Sequence, residues 1–163
     1  MWGKKAVALD KLGRYEEVIG CYDEILRLRS DDFEAWDHKG VAFYNLDRFE
    51  EAIKCHDEAL RLKLDDYSVW NNKSRALERL GRYEEAIKCY DKALEINPSQ
   101  SLVWLWRGVA LQRLGRHEEA IKCLDESLKL DPDELYALSI KSVVLEAMGR
   151  HEEAEKARKQ AWK

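Results

Sequence analysis

A phrase of the form Leu-Gly-Arg-Tyr-Glu-Glu-x-Ile returns along this chain every 34 residues, and a strict period of that length points to an array of stacked, equivalent units. The copies are LGRYEEVIGCYDEIL (12–26), LDRFEEAIKCHDEAL (46–60), LGRYEEAIKCYDKAL (80–94), LGRHEEAIKCLDESL (114–128) and MGRHEEAEKARKQAW (148–162). Gly13, Gly81, Gly115 and Gly149 hold one place in this register, with Asp47 filling the fifth; Trp2, Trp36, Trp70 and Trp104 hold another. Each unit must therefore expose an apolar surface that only its neighbour can cover.

The spacing within a unit predicts two helices. Tyr83, Ala86, Ile87, Tyr90, Ala93 and Leu94 recur at steps of three and four, which places one apolar stripe on a helix beginning just after the glycine. Trp70, Leu77 and Leu80, or Trp104, Leu111 and Leu114, do the same for the helix before it. The glycines stand where a helix ends in a left-handed residue. Asp47 tolerates that conformation better than most side chains, so the second unit is expected to form with a somewhat weaker junction. Paired glutamates such as Glu84 and Glu85 fall in the first turn, where the helix dipole favours negative charge. Pro98 and Pro132 mark turns between units; Ser30-Asp31-Asp32 and Leu64-Asp65-Asp66 lack proline and rely on aspartate to cap the next helix. The expected class is all-α.

Composition narrows the function. Charged residues make up 37% of the chain, apolar residues 45%, and there are only two prolines, which suits helices. A net charge of −4 argues against a nucleic-acid surface. No apolar run reaches the length of a membrane span, and no secretory leader is present, so a cytoplasmic protein without membrane attachment is expected. Cys21, Cys55, Cys89 and Cys123 occupy one repeat position and lack the close second ligand of a zinc motif; they are read as half-buried packing residues. His117 and His151 replace the Tyr of Tyr83, but His-Glu-Glu is not the His-Glu-x-x-His pattern. No nucleophile elbow or phosphate loop is present. We expect no enzyme activity, cofactor or metal. Lys5, Lys39, Lys73, Arg107 and Lys141, also 34 apart, read as stems that cover the helix pairs while their charges reach water, rather than as a phosphate ladder.

The third unit shows Trp70, Gly81, Tyr83, Ala86, Tyr90, Ala93 and Pro98, the fourth Trp104, Gly108, Ala120 and Pro132, and the second Trp36, Gly40, Ala52 and Ala59. This pattern resembles the tetratricopeptide repeat family across essentially the whole chain. The resemblance implies a right-handed superhelical solenoid of helix-turn-helix repeats in a single array. Repeat 1 spans 1–32, repeat 2 33–66, repeat 3 67–100, repeat 4 101–134 and repeat 5 135–163. Repeat 1 starts at its Trp, as in a segment of a longer array or an array with a trimmed cap. Repeat 5 has Leu138 where a Trp would stand and puts Glu155 and Arg158 where repeat 3 has Ile87 and Tyr90, so residues 151–162 are expected to form a polar C-terminal cap.

The resemblance also implies a concave groove, lined by first helices, that takes up an extended peptide or a helix. By position its lining is Glu34, Asp37, His38, Val41 and Tyr44, then Ser68, Asn71, Asn72, Arg75 and Arg79, then Leu102, Leu105, Trp106, Val109, Gln112, Arg113, Tyr136, Ile140 and Val143. One half is acidic and amide-rich, arginines hold the middle, and the last half is apolar. Trp106 is expected to anchor an apolar side chain while Arg75, Arg79 and Arg113 hold carboxylates, or else these apolar residues pack between neighbouring first helices. Some family members grip a terminal carboxylate with Lys, Asn and Arg; aligned from repeat 2, those positions here hold Asp37, Val41, Asn72, Leu102 and Trp106, which does not fit. Two functions are expected to compete: an adaptor that binds a protein or peptide with apolar and acidic residues, and a self-assembling structural module that forms homo-oligomers.

Overall fold

The computed structural model describes residues 2–161, and among them the backbone forms ten helices and no strand. They are α1 (Trp2–Lys11), α2 (Tyr15–Leu28), α3 (Phe33–Asn45), α4 (Phe49–Leu62), α5 (Tyr67–Arg79), α6 (Tyr83–Ile96), α7 (Ser101–Arg113), α8 (His117–Leu130), α9 (Leu135–Ala147) and α10 (His151–Ala161). The chain divides into two compact units, Met1–Arg82 with α1–α5 and Tyr83–Lys163 with α6–α10.

Every helix pair within a repeat is joined by the same hydrogen-bonded turn. After α1, the Gly13 N–H donates to the Asp10 carbonyl at 2.9 Å and the Arg14 N–H to the Leu9 carbonyl at 3.0 Å. This is the Schellman closure of a helix, and its left-handed residue explains the glycine register: Gly13, Gly81, Gly115 and Gly149 all have φ near +70°. Asp47 adopts φ 56°, and its bonds to the Tyr44 and Phe43 carbonyls are 3.0 and 2.9 Å, for Asp47 and Arg48 N–H respectively. The expected weakening of that junction is thus absent from its hydrogen bonds. The following arginine sits at the start of the second helix and pairs with the second glutamate of its first turn, as in Arg48–Glu51 at 2.8 Å and Arg116–Glu119 at 2.7 Å.

The turns between repeats are held by tryptophan. Its indole N–H donates to the carbonyl six residues earlier, Trp36 to Ser30 at 3.0 Å, Trp70 to Leu64 at 2.8 Å and Trp104 to Pro98 at 2.9 Å. Asp32 and Asp66 cap the next helix as expected, accepting from Ala35 N–H and Ser68 N–H. Burial raises the Asp66 pKa, but hydrogen bonds from Ser68 and Lys63 outweigh it and hold the carboxyl below its usual range.

In the first unit Ala6, Leu9, Val18, Cys21, Tyr22, Leu26, Ala35 and Ala42 form one core cluster, and Ala59, Leu60 and Val69 a second. The second unit packs Leu105, Val109, Leu111, Ile121, Leu124, Val144 and Leu145 together. Alanines 52, 86, 120 and 154 are fully buried at one repeat position, where only a small side chain lets helices approach. In α10, Ala154 and Ala157 are buried while Glu155 and Arg158 are exposed; Trp162, the end of the expected cap, lies outside the described residues.

The basic series does not extend into water as the sequence suggested. Lys39, Lys73, Arg107 and Lys141 each reach back to an aspartate on the second helix of the preceding repeat: Asp23, Asp57, Asp91 and Asp125, at 2.6, 2.6, 2.7 and 2.6 Å. Lys39 and Lys73 also lie over Trp36 and Trp70. The aspartates share the 34-residue register, so each pair fastens one repeat to the next within a unit.

Candidate functional site

In the first unit the outward faces of α3 and α5 are polar. The Asn72 amide donates to both Asp37 carboxylate oxygens at 3.2 and 3.3 Å, and Asp37 Oδ1 lies 2.8 Å from Nδ1 of His56 on α4. The His56 ring is fully buried, yet neither ring nitrogen completes a well-aligned hydrogen bond. Its place is prepared by Gly40, where a Cβ would stand 2.6 Å from Cε1 of the imidazole. Arg75 lies over the Tyr44 ring, with its guanidinium carbon 5.0 Å from the centroid, and Arg79 lies over both Tyr44 and Phe49. Arg79 is already paired with Asp47 at 2.8 Å, whereas among the described residues Arg75 has no ion pair. Val41, Tyr44, Asn45, His56, Asn72 and Arg75 line a cavity of about 60 Å³. A second hollow of about 160 Å³, lined by Val7, Asp10, Val18, Tyr22, His38 and Val41 among others, lies between α1, α2 and α3. The Tyr22 and His38 rings stack there at 5.6 Å. Asn71 is half-buried, with its side-chain oxygen enclosed and unpartnered.

The second unit presents a different face. Trp106 on α7 and Tyr136 on α9 meet with ring centroids 5.5 Å apart. Leu102 is 54% exposed, Tyr136 44% and Val143 54%. Trp106 and Ile140 are half-buried and lean on the core. Arg113 is exposed at the end of α7. Leu105 and Val109 correct the expected lining: at 1% and 8% exposure they belong to the core. A first helix flanked by neighbours on both sides leaves only a narrow strip free, and these two positions lie outside it. Eight of the expected residues fall into three groups. Leu105 and Val109 are buried in the core, Asp37, Asn72 and Arg79 are bonded to neighbouring side chains, and Leu102, Tyr136 and Arg75 are exposed.

His56 is the site residue that sequence reading missed. It stands where other repeats have Tyr22, Tyr90 and Leu124. The available signal was a titratable group at an apolar repeat position, above a glycine.

The four cysteines are buried and free. Burial pushes the Cys55 thiol up to about 11, and it also raises that of Cys123 despite the nearby Arg107. Among the described residues no group of three His, Cys, Asp or Glu side chains could hold a metal, and no helix is long and apolar enough to cross a membrane.

Family models described as TPR repeat match residues 75–115, and others described as tetratricopeptide repeat match 4–55 and 101–134. A model of the protein prenyltransferase alpha subunit repeat matches 49–80. No curated protein matches the chain. Among solved structures it is similar to MamA 41-end from Desulfovibrio magneticus RS-1, with a TM-score of 0.94 and 19% identity over 99% of this chain and 91% of that one. The MamA of MSR-1 superposes with a TM-score of 0.83 at 27% identity, covering 98% and 92% of the two chains. YrrB, described as a TPR protein with an unusual peptide-binding site, gives 0.84 at 21% identity, over 98% of this chain and 82% of its own. With the repeat register, the Schellman-closed helix pairs and three matching models in agreement, the chain belongs to the tetratricopeptide repeat family.

Proposed function

We infer that the chain is a protein–protein interaction scaffold whose first helices receive a segment of a partner polypeptide. The observation that carries this reading is the Trp106–Tyr136 pair, flanked by exposed Leu102 and Val143 on the same two helices. Apolar side chains left outside the core, beside an aromatic pair, have the make-up of an interaction hot spot. The solvent side of the second helices is lined instead by charges such as Glu118, Glu119 and Lys122. The peptide-binding site named for YrrB supports the same reading. The partner segment carries apolar residues for α7 and α9, and an acidic residue for Arg113, exposed at the end of α7.

Tryptophan fluorescence titrated with peptides that combine an apolar anchor and acidic residues tests this. Trp106→Ala should weaken binding at least tenfold, as loss of a central aromatic does. Unchanged affinity together with a stability loss of about 3 kcal/mol or more, typical of a buried aromatic, would show that Trp106 is only a packing residue. Light scattering over a concentration series addresses self-assembly: a mass that rises with concentration and falls in a Tyr136→Ser variant would assign this face to a second copy of the chain.

A further inference from the structure

Two hollows in the first unit occupy the same place in successive repeats. The one between α1, α2 and α3 is lined by Val7, Asp10, Lys11, Tyr22, His38 and Val41, among others. The residues 34 positions further on, Val41, Tyr44, Asn45, His56, Asn72 and Arg75, line the one between α3, α4 and α5. One site is thus built twice with different contents, and its size differs accordingly, about 160 Å³ in the first copy and about 60 Å³ in the second.

The telling exchange is a carboxylate for a ring. Tyr44 stands in the smaller hollow where Asp10 stands in the larger one. The Tyr44 ring is half-buried, meets the Phe49 ring edge-on with centroids 5.5 Å apart, and is covered by the Arg75 guanidinium at 5.0 Å. Neither the ring nor its cover exists at the first site, where Asp10 and Val41 take the two positions and Val7 is 55% exposed. What remains there is a hollow walled by three valines and the stacked Tyr22 and His38 rings.

We propose that the hollow between α1, α2 and α3 binds a phenol ring, in the place that the Tyr44 ring holds one repeat later. An apolar cavity of about 150 Å³ already accommodates benzene, so a single ring fits the space. The rim selects the hydroxyl. Asp10 has no ion pair among the described residues, and its carboxylate oxygens can accept from an O–H. Lys11 beside it on the rim offsets its charge, which favours a neutral donor over an ammonium group. Burial, and after it the Asp10 carboxylate, raise the pKa of the Tyr22 phenol; the same surroundings keep an incoming phenol in its protonated, donating form. A small free phenol and the tyrosine side chain of a partner polypeptide share this chemistry. The site involves neither Trp106 nor Tyr136.

The test follows the valine methyl resonances of the whole chain by NMR while p-cresol, toluene or acetyl-Ala-Tyr-Ala-amide is added. p-Cresol should shift Val7, Val18 and Val41 saturably in the low-millimolar range of a ligand with so few atoms. Toluene, the same ring without the hydroxyl, should bind about threefold or more weakly, the worth of one hydrogen bond. Asp10→Tyr installs the residue of the next repeat; since Asp10 is exposed, the variant should fold normally by circular dichroism and lose the shifts because its own ring fills the space. Asp10→Ala leaves the hollow open and should bring p-cresol down to the level of toluene. Tripeptide binding at least as tight as that of p-cresol assigns the site to a tyrosine of a partner, and binding of p-cresol alone assigns it to a free phenol. The proposal is overturned if p-cresol gives no saturable shift, if Val143 on the other unit shifts as much, if toluene binds equally well, or if folded Asp10→Tyr binds like the parent.

Discussion

The two units are built from one repeat and differ where the repeat does not need to be the same. In Met1–Arg82 the outward side of the first helices carries Asp37, Asn72, Arg75 and Arg79 around Tyr44; in Tyr83–Lys163 it carries Leu102, Trp106, Tyr136 and Val143. The buried alanines, the left-handed junction and the lysine or arginine to aspartate fasteners recur in both. Positions that couple one helix to the next are held by close packing, which tolerates little change. Positions on the outward strip meet few neighbours, as Asn72 meets Asp37 and Trp106 meets Tyr136, and are less constrained by packing. A second contrast lies inside the core, where His56 in the first unit and Leu124 in the second occupy equivalent, fully buried places.

That core contrast gives the largest expected effect. Adding a methyl group at Gly40 would bring carbon to 2.6 Å from the enclosed His56 ring, while at Gly108 the nearest atom is Leu124 Cγ at 3.1 Å. Gly40→Ala should destabilise by about 1–3 kcal/mol through overpacking. Gly108→Ala should cost less, because the leucine can move and the helix gains up to about 1 kcal/mol from replacing glycine. Urea denaturation of both variants orders them, and an equal or reversed pair would mean that His56 is not rigidly held.

The helix junctions give a smaller difference. Gly115→Ala in the second unit forces a side chain into φ 72° and should cost about 1–2 kcal/mol. Asp47→Gly in the first unit relieves the same conformation at φ 56° and should stabilise by about 1 kcal/mol. Thermal unfolding of the two variants should shift in opposite directions; a drop for Asp47→Gly would make the exposed contact to Arg79 the stronger influence.

The smallest effect is expected where the units agree. Double-mutant cycles on Lys73–Asp57 and Lys141–Asp125, with all four residues taken to alanine, should each give a coupling below about 1 kcal/mol that shrinks in high salt, since both aspartates are about half exposed. Unequal or salt-insensitive couplings would show that one fastener is more desolvated than its geometry suggests.

The helical class, the repeat register and the left-handed junctions were all legible in the amino-acid sequence, because each follows from local periodicity or from backbone sterics at a single residue. Asp47 could be recognised as left-handed for the same reason. The lining was only partly legible. Of the expected lining, Leu102 and Tyr136 are exposed and Trp106 is half-buried, but Leu105 and Val109 are buried, since helical spacing alone does not say how far neighbouring helices wrap around. The basic series was recognised as structural, yet its aspartate partners sixteen residues earlier lie on a different helix and become neighbours only when repeats stack.

By itself, then, the sequence determined which residues repeat, and with them the helices, their ends and the apolar stripes they must bury, because these depend on interactions within a few residues. Only the tertiary structure decided what the exceptions mean. It brought Tyr44, His56, Asn72 and Arg75 to one small cavity and left Arg75 without an ion pair among the described residues, and proximity between residues on three different helices is set by packing rather than by spacing along the chain.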